Sequence, residues 1–193
     1  MAIKKENNKV DVRLLNEMGK VVFDRNLAKA LPNLKLYYVY RGVRKRGEIR
    51  YDITIIPPKM LGKEFVRTKG NRNSKNFQEL YTVLNGKAIF LMQKSKGRKI
   101  EDVVAVEAKK GDSVIVPPKY SAIMINPTKK ILKTGNWVSG KNENIYKELE
   151  VMQGACYHYT KSGWIKNKNY KKVPVLRFEK PLKKIPKNLG FLK

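Results

Sequence analysis

Short apolar runs separated by glycine and proline fill most of the chain and predict β-strands. Residues 36–43 are rich in Tyr and Val, residues 51–56 alternate, and residues 80–93 hold two runs split by Asn85-Gly86. Further short runs follow at 103–106, 113–116, 123–125, 131–133 and 136–138. Asn-Gly is a strong hairpin signal, so the pattern predicts that the runs on either side of it pair. Many short strands at this spacing favour an antiparallel sandwich or barrel.

The two ends of the chain depart from this pattern. Residues 12–30 mix helical and strand spacing, which predicts a short helical or mixed segment. Residues 166–193 contain three prolines, ten basic side chains and one acidic, which predicts an extended arm. We divide the chain into a basic N-terminal extension (1–11), a β-barrel domain (12–165) and a basic C-terminal extension (166–193). The arm could follow a polyanion or pack on the barrel through residues 173–178, and the sequence leaves both open.

Composition adds a strong positive charge to this picture. The chain has 43 Lys and Arg against 16 Asp and Glu, a formal net charge of +27. Such self-repulsion opposes compaction unless a polyanion neutralises it, and nucleic-acid phosphates are the obvious candidate. The alternative is a solvated lysine-rich surface. The predicted RNA-binding side chains are Arg41, Arg44, Lys45, Arg46, Arg50, Arg72, Lys94, Lys96, Arg98, Lys99, Lys166, Lys168, Lys171, Lys172, Lys183, Lys184 and Lys187.

Several classes of protein are excluded by what the chain lacks. With one cysteine (Cys156) and one histidine (His158), it can form neither an internal disulfide nor an ordinary zinc site. No apolar run approaches the roughly 20 residues of a membrane helix, and the N-terminus lacks the apolar core of a secretory signal. We therefore expect a cytoplasmic protein with no membrane partner. Cys156 and His158 would share one face of a strand, but a buried structural cysteine is favoured over a nucleophile.

Two stretches carry a motif spacing of known type. The first contains Gly70-Asn71-Arg72-Asn73, then Glu79 and Gly86, and the second contains Gly111, Pro117, Ala122 and Asn126. This spacing resembles the paired motifs of the cupin superfamily. A narrower resemblance, to the archaeal cupin-type glucose-6-phosphate isomerases, covers roughly residues 12–178. The blocks that carry it are 12–18, Tyr51-Asp52-Ile53-Thr54, Gly62-Lys63-Glu64-Phe65, Thr68-Lys69-Gly70 and Glu79-Leu80-Tyr81.

The resemblance implies a mainly β, jelly-roll fold and a metal site whose ligands are missing here. That family binds a divalent metal through two His and a Glu of the first motif and one His of the second. The matching positions in this chain are Asn71, Asn73, Glu79 and Ala122. Asn amides are weak ligands and Ala122 offers no donor atom, so we expect no metal, no cofactor and no catalytic residue.

The family's sugar-phosphate pocket partly persists. The matching positions are Tyr37, Thr54, Thr68, Gly70 and Tyr81. Hydroxyls and a glycine N–H can hold a phosphate, whereas the alternative is that these residues serve only packing.

Taken together, these features lead to a non-enzymatic hypothesis. They predict an RNA-binding pseudoenzyme, most plausibly a structural protein of the archaeal ribosome with a ribosome-associated location. Its expected partners are rRNA and ribosomal proteins, without a small-molecule substrate. Two alternatives stay open: a divergent sugar-phosphate isomerase, and a DNA-binding protein of chromatin type.

Overall fold

The protein is mainly β, which confirms the predicted fold class. A computed structural model describes residues 10–193, and within them the strands fall into three sheets. The first sheet contains, in spatial order, β1 (Val10–Leu14), β2 (Lys35–Arg46), β3 (Ile49–Ile56), β12 (Leu132–Ser139), β7 (Glu79–Asn85) and β10 (Ser113–Val116). All neighbouring strands of this sheet are antiparallel.

The second sheet packs against the first. It contains β13 (Asn144–Ile145), β6 (Asn71–Asn73), β11 (Ser121–Ile125), β8 (Lys87–Lys96), β9 (Lys99–Lys109) and β16 (Arg177–Glu179). Inward-facing apolar residues of both sheets form one core, in which the rings of Tyr81 and Phe90 lie 5.3 Å apart between their centroids. Alternation along a strand turns one set of side chains toward this core, whereas residues 88–93 of β8 and 103–106 of β9 are buried on both faces of their sheet.

A small sheet and three short helices complete the fold. The third sheet contains β15 (Gly163–Lys166), β14 (Tyr157–Thr160), β5 (Glu64–Phe65) and β4 (Met60–Leu61). The helices are α1 (Leu15–Met18), α2 (Arg25–Ala30) and α3 (Lys147–Val151), with a 3₁₀ turn at Gly190–Leu192. The Asp24 carboxylate caps α2 by accepting a hydrogen bond of 2.9 Å from the Leu27 N–H. The mixed pattern of residues 12–30 therefore corresponds to β1, α1 and α2.

Two details of the strand prediction are wrong. Asn85-Gly86 does not close a hairpin, because β7 belongs to the first sheet and β8 to the second. Gly86 has a φ of 81°, and a Cβ there would lie 2.7 Å from the Ile131 carbonyl oxygen, so glycine is required for the crossing between sheets. The runs 131–133 and 136–138 form the single strand β12, which continues through Gly135 where the Tyr51 ring leaves no room for a side chain.

The C-terminal segment packs on the body of the protein. Strand β16 pairs in parallel with β9, and the Ser113 and Leu182 backbones exchange hydrogen bonds of 2.8 Å. The Arg177 guanidinium donates two hydrogen bonds to Asp102, at 3.0 and 2.8 Å. Leu192 is fully buried against Ile49 and Leu80 on the outer face of the first sheet. Of the two possibilities that the sequence leaves open for this arm, the structure has the packed one.

Replacing Leu192 with alanine tests how much this packing stabilises the protein. Because the side chain is fully buried, we expect a loss of about 3 kcal/mol in the free energy of unfolding. In thermal unfolding this corresponds to a Tm lower by about 9 °C. The control is Ile185→Ala in the same segment, where the side chain is 48% exposed and the Tm should stay within about 2 °C. Equal effects of the two substitutions would contradict a docked C-terminus.

Candidate active site

A cavity of about 60 Å³ lies between the first and second sheets. One wall is formed by β2, β3, β12 and β7, and the other by residues around β6 and β11. This volume holds roughly two water molecules. A larger ligand would require the side chains at the rim of the cavity to move.

The wall formed by the first sheet is polar, which is unusual for the inner face of a sheet. Along β3, Asp52 and Thr54 point into the cavity while Tyr51, Ile53 and Ile55 alternate with them. The strand register places Asn136 of β12 directly between Asp52 of β3 and Tyr81 of β7. Glu79 lies two residues before Tyr81 on the same face. We call Thr54, Glu79, Tyr81 and Asn136 the polar floor.

Two members of the polar floor have no partner inside the protein. Thr54 and Asn136 are each 6% exposed and line the cavity, and within residues 10–193 no hydrogen bond joins either side chain to another residue. Neither is among the fully buried polar atoms that lack a partner, so both reach the space of the cavity. Buried polar groups are normally hydrogen-bonded, so unpaired groups that line a cavity indicate a place for a polar ligand or water.

Burial shifts the titration of the other two members. Desolvation raises the pKa of Glu79, and the Asp52 carboxylate adds to this shift, whereas Tyr81, Arg50 and Arg41 oppose it. Desolvation and the adjacent Glu79 also hold the pKa of the Tyr81 phenol well above its ordinary value. The floor therefore places a carboxyl beside a neutral hydroxyl in a site shielded from water.

A cluster of charges borders the polar floor. Asp52 accepts hydrogen bonds from Arg41 Nη1 at 3.2 Å and from Arg50 Nε at 3.1 Å. Its other oxygen accepts from the Gly42 N–H at 2.8 Å, at the bulge of β2. Arg41 also pairs with Asp11 at 2.7 Å. Because its oxygens are taken, Asp52 acts as the anchor of this cluster, and the two guanidiniums keep the border of the cavity positive.

The positions that match the family's metal ligands carry two amides, one carboxylate and one alanine, and the amides bond to each other and to neighbouring asparagines. Asn73 Oδ1 accepts hydrogen bonds from Asn71 at 3.3 Å and from Asn142 at 3.0 Å. Asn144 Oδ1 accepts from Asn71 at 3.2 Å and from Asn142 at 3.3 Å. We call Asn71, Asn73, Asn142 and Asn144 the amide network.

The donor set at these positions does not suit a transition metal. The amide network uses its oxygens internally, Ala122 has no donor atom, and Glu79 is the one carboxylate of the four positions. Nowhere in residues 10–193 do three His, Cys, Asp or Glu side chains converge as a metal site would need. A single carboxylate with neutral amides is a poor ligand set for such an ion.

Two hydroxyls, one from each wall of the cavity, are held by backbone groups: Tyr37 belongs to β2 of the first sheet, and Thr68 lies beside β11 of the second. Tyr37 Oη accepts a hydrogen bond of 3.1 Å from the Lys69 N–H, and Thr68 Oγ1 accepts one of 3.0 Å from the Met124 N–H. Both hydroxyls thus keep a proton that they can donate. Gly70 has a φ of 79°, and a Cβ there would lie 2.5 Å from Ile123, so this position requires glycine. Because no side chain intervenes, the Gly70 backbone borders the cavity. The structure therefore brings together Tyr37, Thr54, Thr68, Gly70 and Tyr81 around one cavity.

The rim of the cavity carries two cations over an aromatic ring. Lys69 Nζ lies 4.9 Å and the Arg13 guanidinium 5.9 Å from the centre of the Tyr146 ring. Arg13 pairs with Glu17 and Lys69 with Glu150, each at 2.5 Å. Such interactions at partly exposed sites are individually weak, so the rim can open at low cost.

Cys156 and His158 do not form a nucleophile pair. Cys156 is fully buried, and desolvation raises the pKa of its thiol to about 12. His158 Nδ1 lies 3.2 Å from the Glu64 carboxylate instead. An uncharged buried thiol is inert, which agrees with the interpretation of Cys156 as structural.

Five of the seventeen basic side chains predicted to bind RNA form ion pairs within the protein. Arg41 and Arg50 pair with Asp52 beside the cavity, and Arg72 pairs with Glu148 at 2.7 Å. Lys94 pairs with Glu101 at 2.9 Å and Lys183 with Asp112 at 2.9 Å. The group Arg44, Lys45 and Arg46 ends β2 on the exposed surface. The predicted set therefore divides among the cavity border, the packed C-terminal segment and separate surface loops.

Comparison with known proteins identifies the family. The family model described as glucose-6-phosphate isomerase (GPI) matches residues 21–175. A glucose-6-phosphate isomerase from Thermococcus litoralis is 31% identical over 127 residues, which cover 63% of this chain and 65% of that protein. The enzyme of the same name from Pyrococcus furiosus is 30% identical over 127 residues with the same coverage. The chain thus matches less than two thirds of the length of these relatives.

Solved structures align with part of the chain at low sequence identity. An oxalate oxidase structure aligns with a TM-score of 0.46 at 10% identity, over 57% of this chain and 54% of that one. A vicilin from hazelnut, Corylus avellana, aligns with a TM-score of 0.43 at 17% identity, over 57% of this chain and 31% of that one.

Fold and sequence together assign the class of the protein. The mainly β fold and the paired motifs around one cavity define a protein of the cupin class. Within that class, the chain belongs to the glucose-6-phosphate isomerase family, which confirms the resemblance found in the sequence.

Membership of an enzyme family overturns the ribosomal hypothesis. The predicted function as a structural rRNA-binding protein is wrong, and so are the expected rRNA and ribosomal partners. The expected ribosome-associated location finds no support in this family. The same membership contradicts the expectation that the chain has no small-molecule substrate. Net charge describes solubility and non-specific association rather than the chemistry of a site, which is why it misled the prediction. Within residues 10–193, no helix has both the length and the apolar composition of a membrane span.

Three residues of the site escaped the sequence analysis. Asp52, Asn136 and Arg13 line the cavity, yet none was singled out for a role there. The available signal was the alternation of Arg50, Asp52 and Thr54 with apolar neighbours in β3. Such a pattern is ordinarily taken to mean a polar face in solvent, but here the polar face points inward.

Proposed function

We propose that this protein binds a sugar phosphate in the cavity and interconverts its aldose and ketose forms, with Glu79 as the acid and base. The observation that carries this proposal is the polar floor, where a buried carboxyl lies among unpaired polar groups that face one cavity. The divalent metal of the family takes no part, because the residues at its ligand positions do not suit it.

The charge around the cavity supports an anionic ligand. Arg13, Arg41 and Arg50 line it together with only two carboxylates, Asp52 and Glu79. The three guanidiniums outnumber these two carboxylates. Tyr37 of β2 and Thr68 beside β11 can donate hydroxyl protons to phosphate oxygens. Phosphate oxygens can also come close to the Gly70 backbone, because glycine has no side chain.

The proposed chemistry is a proton transfer between neighbouring carbon atoms. Glu79 removes the proton from C2 of the open-chain aldose, the C–H electron pair forms the C1–C2 double bond, and the carbonyl pair moves to O1. The hydroxyl proton passes from O2 to O1, and Glu79 returns its proton to C1. The sugar is rearranged without an external oxidant or reductant. A positioned base near the reacting carbon is the central requirement of this reaction.

The experiment is titration of the purified chain after exhaustive treatment with a chelator. We expect glucose 6-phosphate and fructose 6-phosphate to bind, unphosphorylated glucose to bind at least about 100-fold more weakly, and turnover to persist without metal. Failure of both phosphates to bind would overturn the proposal. Binding without turnover would contradict its isomerase part, and turnover that the chelator abolishes would contradict its metal independence.

A further inference from the structure

We propose that the side-chain amide of Asn136 is the donor that stabilises the oxyanion of the bound sugar, in the place where the family uses a metal. This inference rests on the proposed function and adds a specific catalytic residue to it. Isomerisation passes through an enediolate, whose negative O1 needs a hydrogen-bond donor or a cation. The polar floor provides two side chains with free donors, Thr54 and Asn136, and Asn136 is the one on the strand next to Glu79, since Thr54 of β3 lies one strand further away.

The position of Asn136 fits this task. It lies on β12 beside β7, directly opposite Tyr81. Glu79, two residues before Tyr81 on β7, is its diagonal neighbour. Diagonal neighbours in an antiparallel pair are about 7 to 8 Å apart, close enough for one small molecule to bridge their side chains. A sugar whose C2 lies at Glu79 would thus present its adjacent C1 oxygen toward Asn136.

The amide of Asn136 is available to a ligand. The residue is 6% exposed, lines the cavity and makes no side-chain hydrogen bond within residues 10–193. Its atoms are not among the fully buried ones that lack a partner, so the amide is accessible from the cavity and a ligand oxygen can accept from it. In a site shielded from water, a hydrogen bond to a developing negative charge is also stronger than it would be in solvent.

The other donors near the floor are already committed. Arg41 and Arg50 direct their guanidiniums to Asp52, at 3.2 and 3.1 Å. The Asn71 amide donates to Asn73 and Asn144 in the amide network. The Tyr81 phenol lies beside Glu79 on the same strand. Asn136 is therefore the member of this wall that can turn its full donor capacity to the ligand.

The test compares two ligands that differ in the group at the position of the enediolate oxygens. An aldonate phosphate, 5-phosphoarabinonate, carries a planar charged carboxylate in the position of the enediolate, and arabinitol 5-phosphate of equal length carries a hydroxyl. We expect the native chain to prefer the aldonate by about 10- to 100-fold, as a hydrogen bond to a charged group implies. In Asn136→Ala this preference should fall to about 1, while the affinity for arabinitol 5-phosphate changes less than about threefold.

Two further variants complete the design. Asn136→Asp keeps the shape of the side chain but replaces donors with a negative charge, so it should reverse the preference. Thr134→Val is the matched control: Thr134 is buried on the same strand, and its hydroxyl has no partner in residues 10–193. It should behave as the native chain does.

The outcomes separate this inference from the proposed function. An aldonate preference that survives in Asn136→Ala, or that is absent from the native chain, overturns the role of Asn136 while leaving sugar-phosphate binding intact. If neither phosphate ligand binds the native chain, the proposed function fails and the inference fails with it. If the alanine variant does not fold, the aspartate variant supplies the same comparison.

Discussion

Replacing Glu79 with glutamine should reduce isomerase turnover by about 1,000-fold, because glutamine keeps the shape of the side chain but cannot accept a proton from carbon. Glu79 is 5% exposed and faces the cavity from β7, next to Tyr81. The affinity for fructose 6-phosphate should change by less than about threefold, since the phosphate is expected to bind at Tyr37, Thr68 and Gly70 rather than at Glu79. The measurement is kcat and KM from a coupled assay, together with direct titration of the sugar phosphate.

The matched control for this experiment is Glu107→Gln on β9. Glu107 is exposed and makes no contact with the cavity, so kcat should be unchanged. Turnover by Glu79→Gln within about tenfold of the native rate would show that another group removes the proton. Equal losses of binding and turnover would instead indicate that Glu79 holds the ligand rather than transferring a proton.

The sequence predicts the strands well because strand formation depends on local periodicity. The predicted run 113–116 is β10, and the runs 36–43 and 51–56 lie within β2 and β3. What a strand pairs with is decided elsewhere in the chain. At Asn85-Gly86 the local signal suits a tight turn, but β7 pairs with β12 and β10 while β8 pairs with β9 and β11. Long-range pairing therefore overrides the hairpin signal.

The candidate site follows from the sequence only in part. Motif spacing brings out Glu79 and the positions of Tyr37 and Thr68, because those residues match a family pattern. Asn136 and Asp52 match no motif, and their inward orientation depends on which face of the first sheet meets the second. That choice depends on tertiary packing, since Trp137 beside Asn136 faces outward toward Ile49 and Leu80. A period of two gives two faces but does not say which one is buried.

A second network of buried charges lies outside the cavity and holds the N-terminal helices to the third sheet. Glu64 Oε1 accepts hydrogen bonds from Arg67 Nε at 2.8 Å and lies 3.2 Å from His158 Nδ1. Its Oε2 accepts from the Phe23 N–H at 2.8 Å, and Arg67 donates to the Val21 carbonyl. All three charged or titratable side chains are at most 4% exposed. Removing either Glu64 or Arg67 therefore leaves the other as a buried charge without its counter-charge.

Glu64→Gln should accordingly lower the free energy of unfolding at pH 7 by about 4 kcal/mol, which corresponds to a Tm lower by about 12 °C. The glutamine fills the same space but leaves the Arg67 guanidinium without a counter-charge. The control is Glu48→Gln, which removes the exposed pair with Lys141 and should leave the Tm within about 2 °C of the native value. A Tm of Glu64→Gln within about 2 °C of the native value would mean that the buried network adds no stability.

Acid should remove the same stabilisation from the native chain. Arg67 and His158 overcome the effect of burial and lower the pKa of Glu64 from its ordinary 4.5 to about 2. Because this carboxyl binds its proton less readily when folded, it contributes fully above pH 4.5, and the contribution of about 3 kcal/mol is lost as pH falls from 4.5 toward 2. Glutamine does not titrate, so the Tm difference between the native chain and Glu64→Gln should shrink over that interval. A difference that stays constant from pH 7 to pH 3 would show that the carboxylate charge contributes nothing to the network.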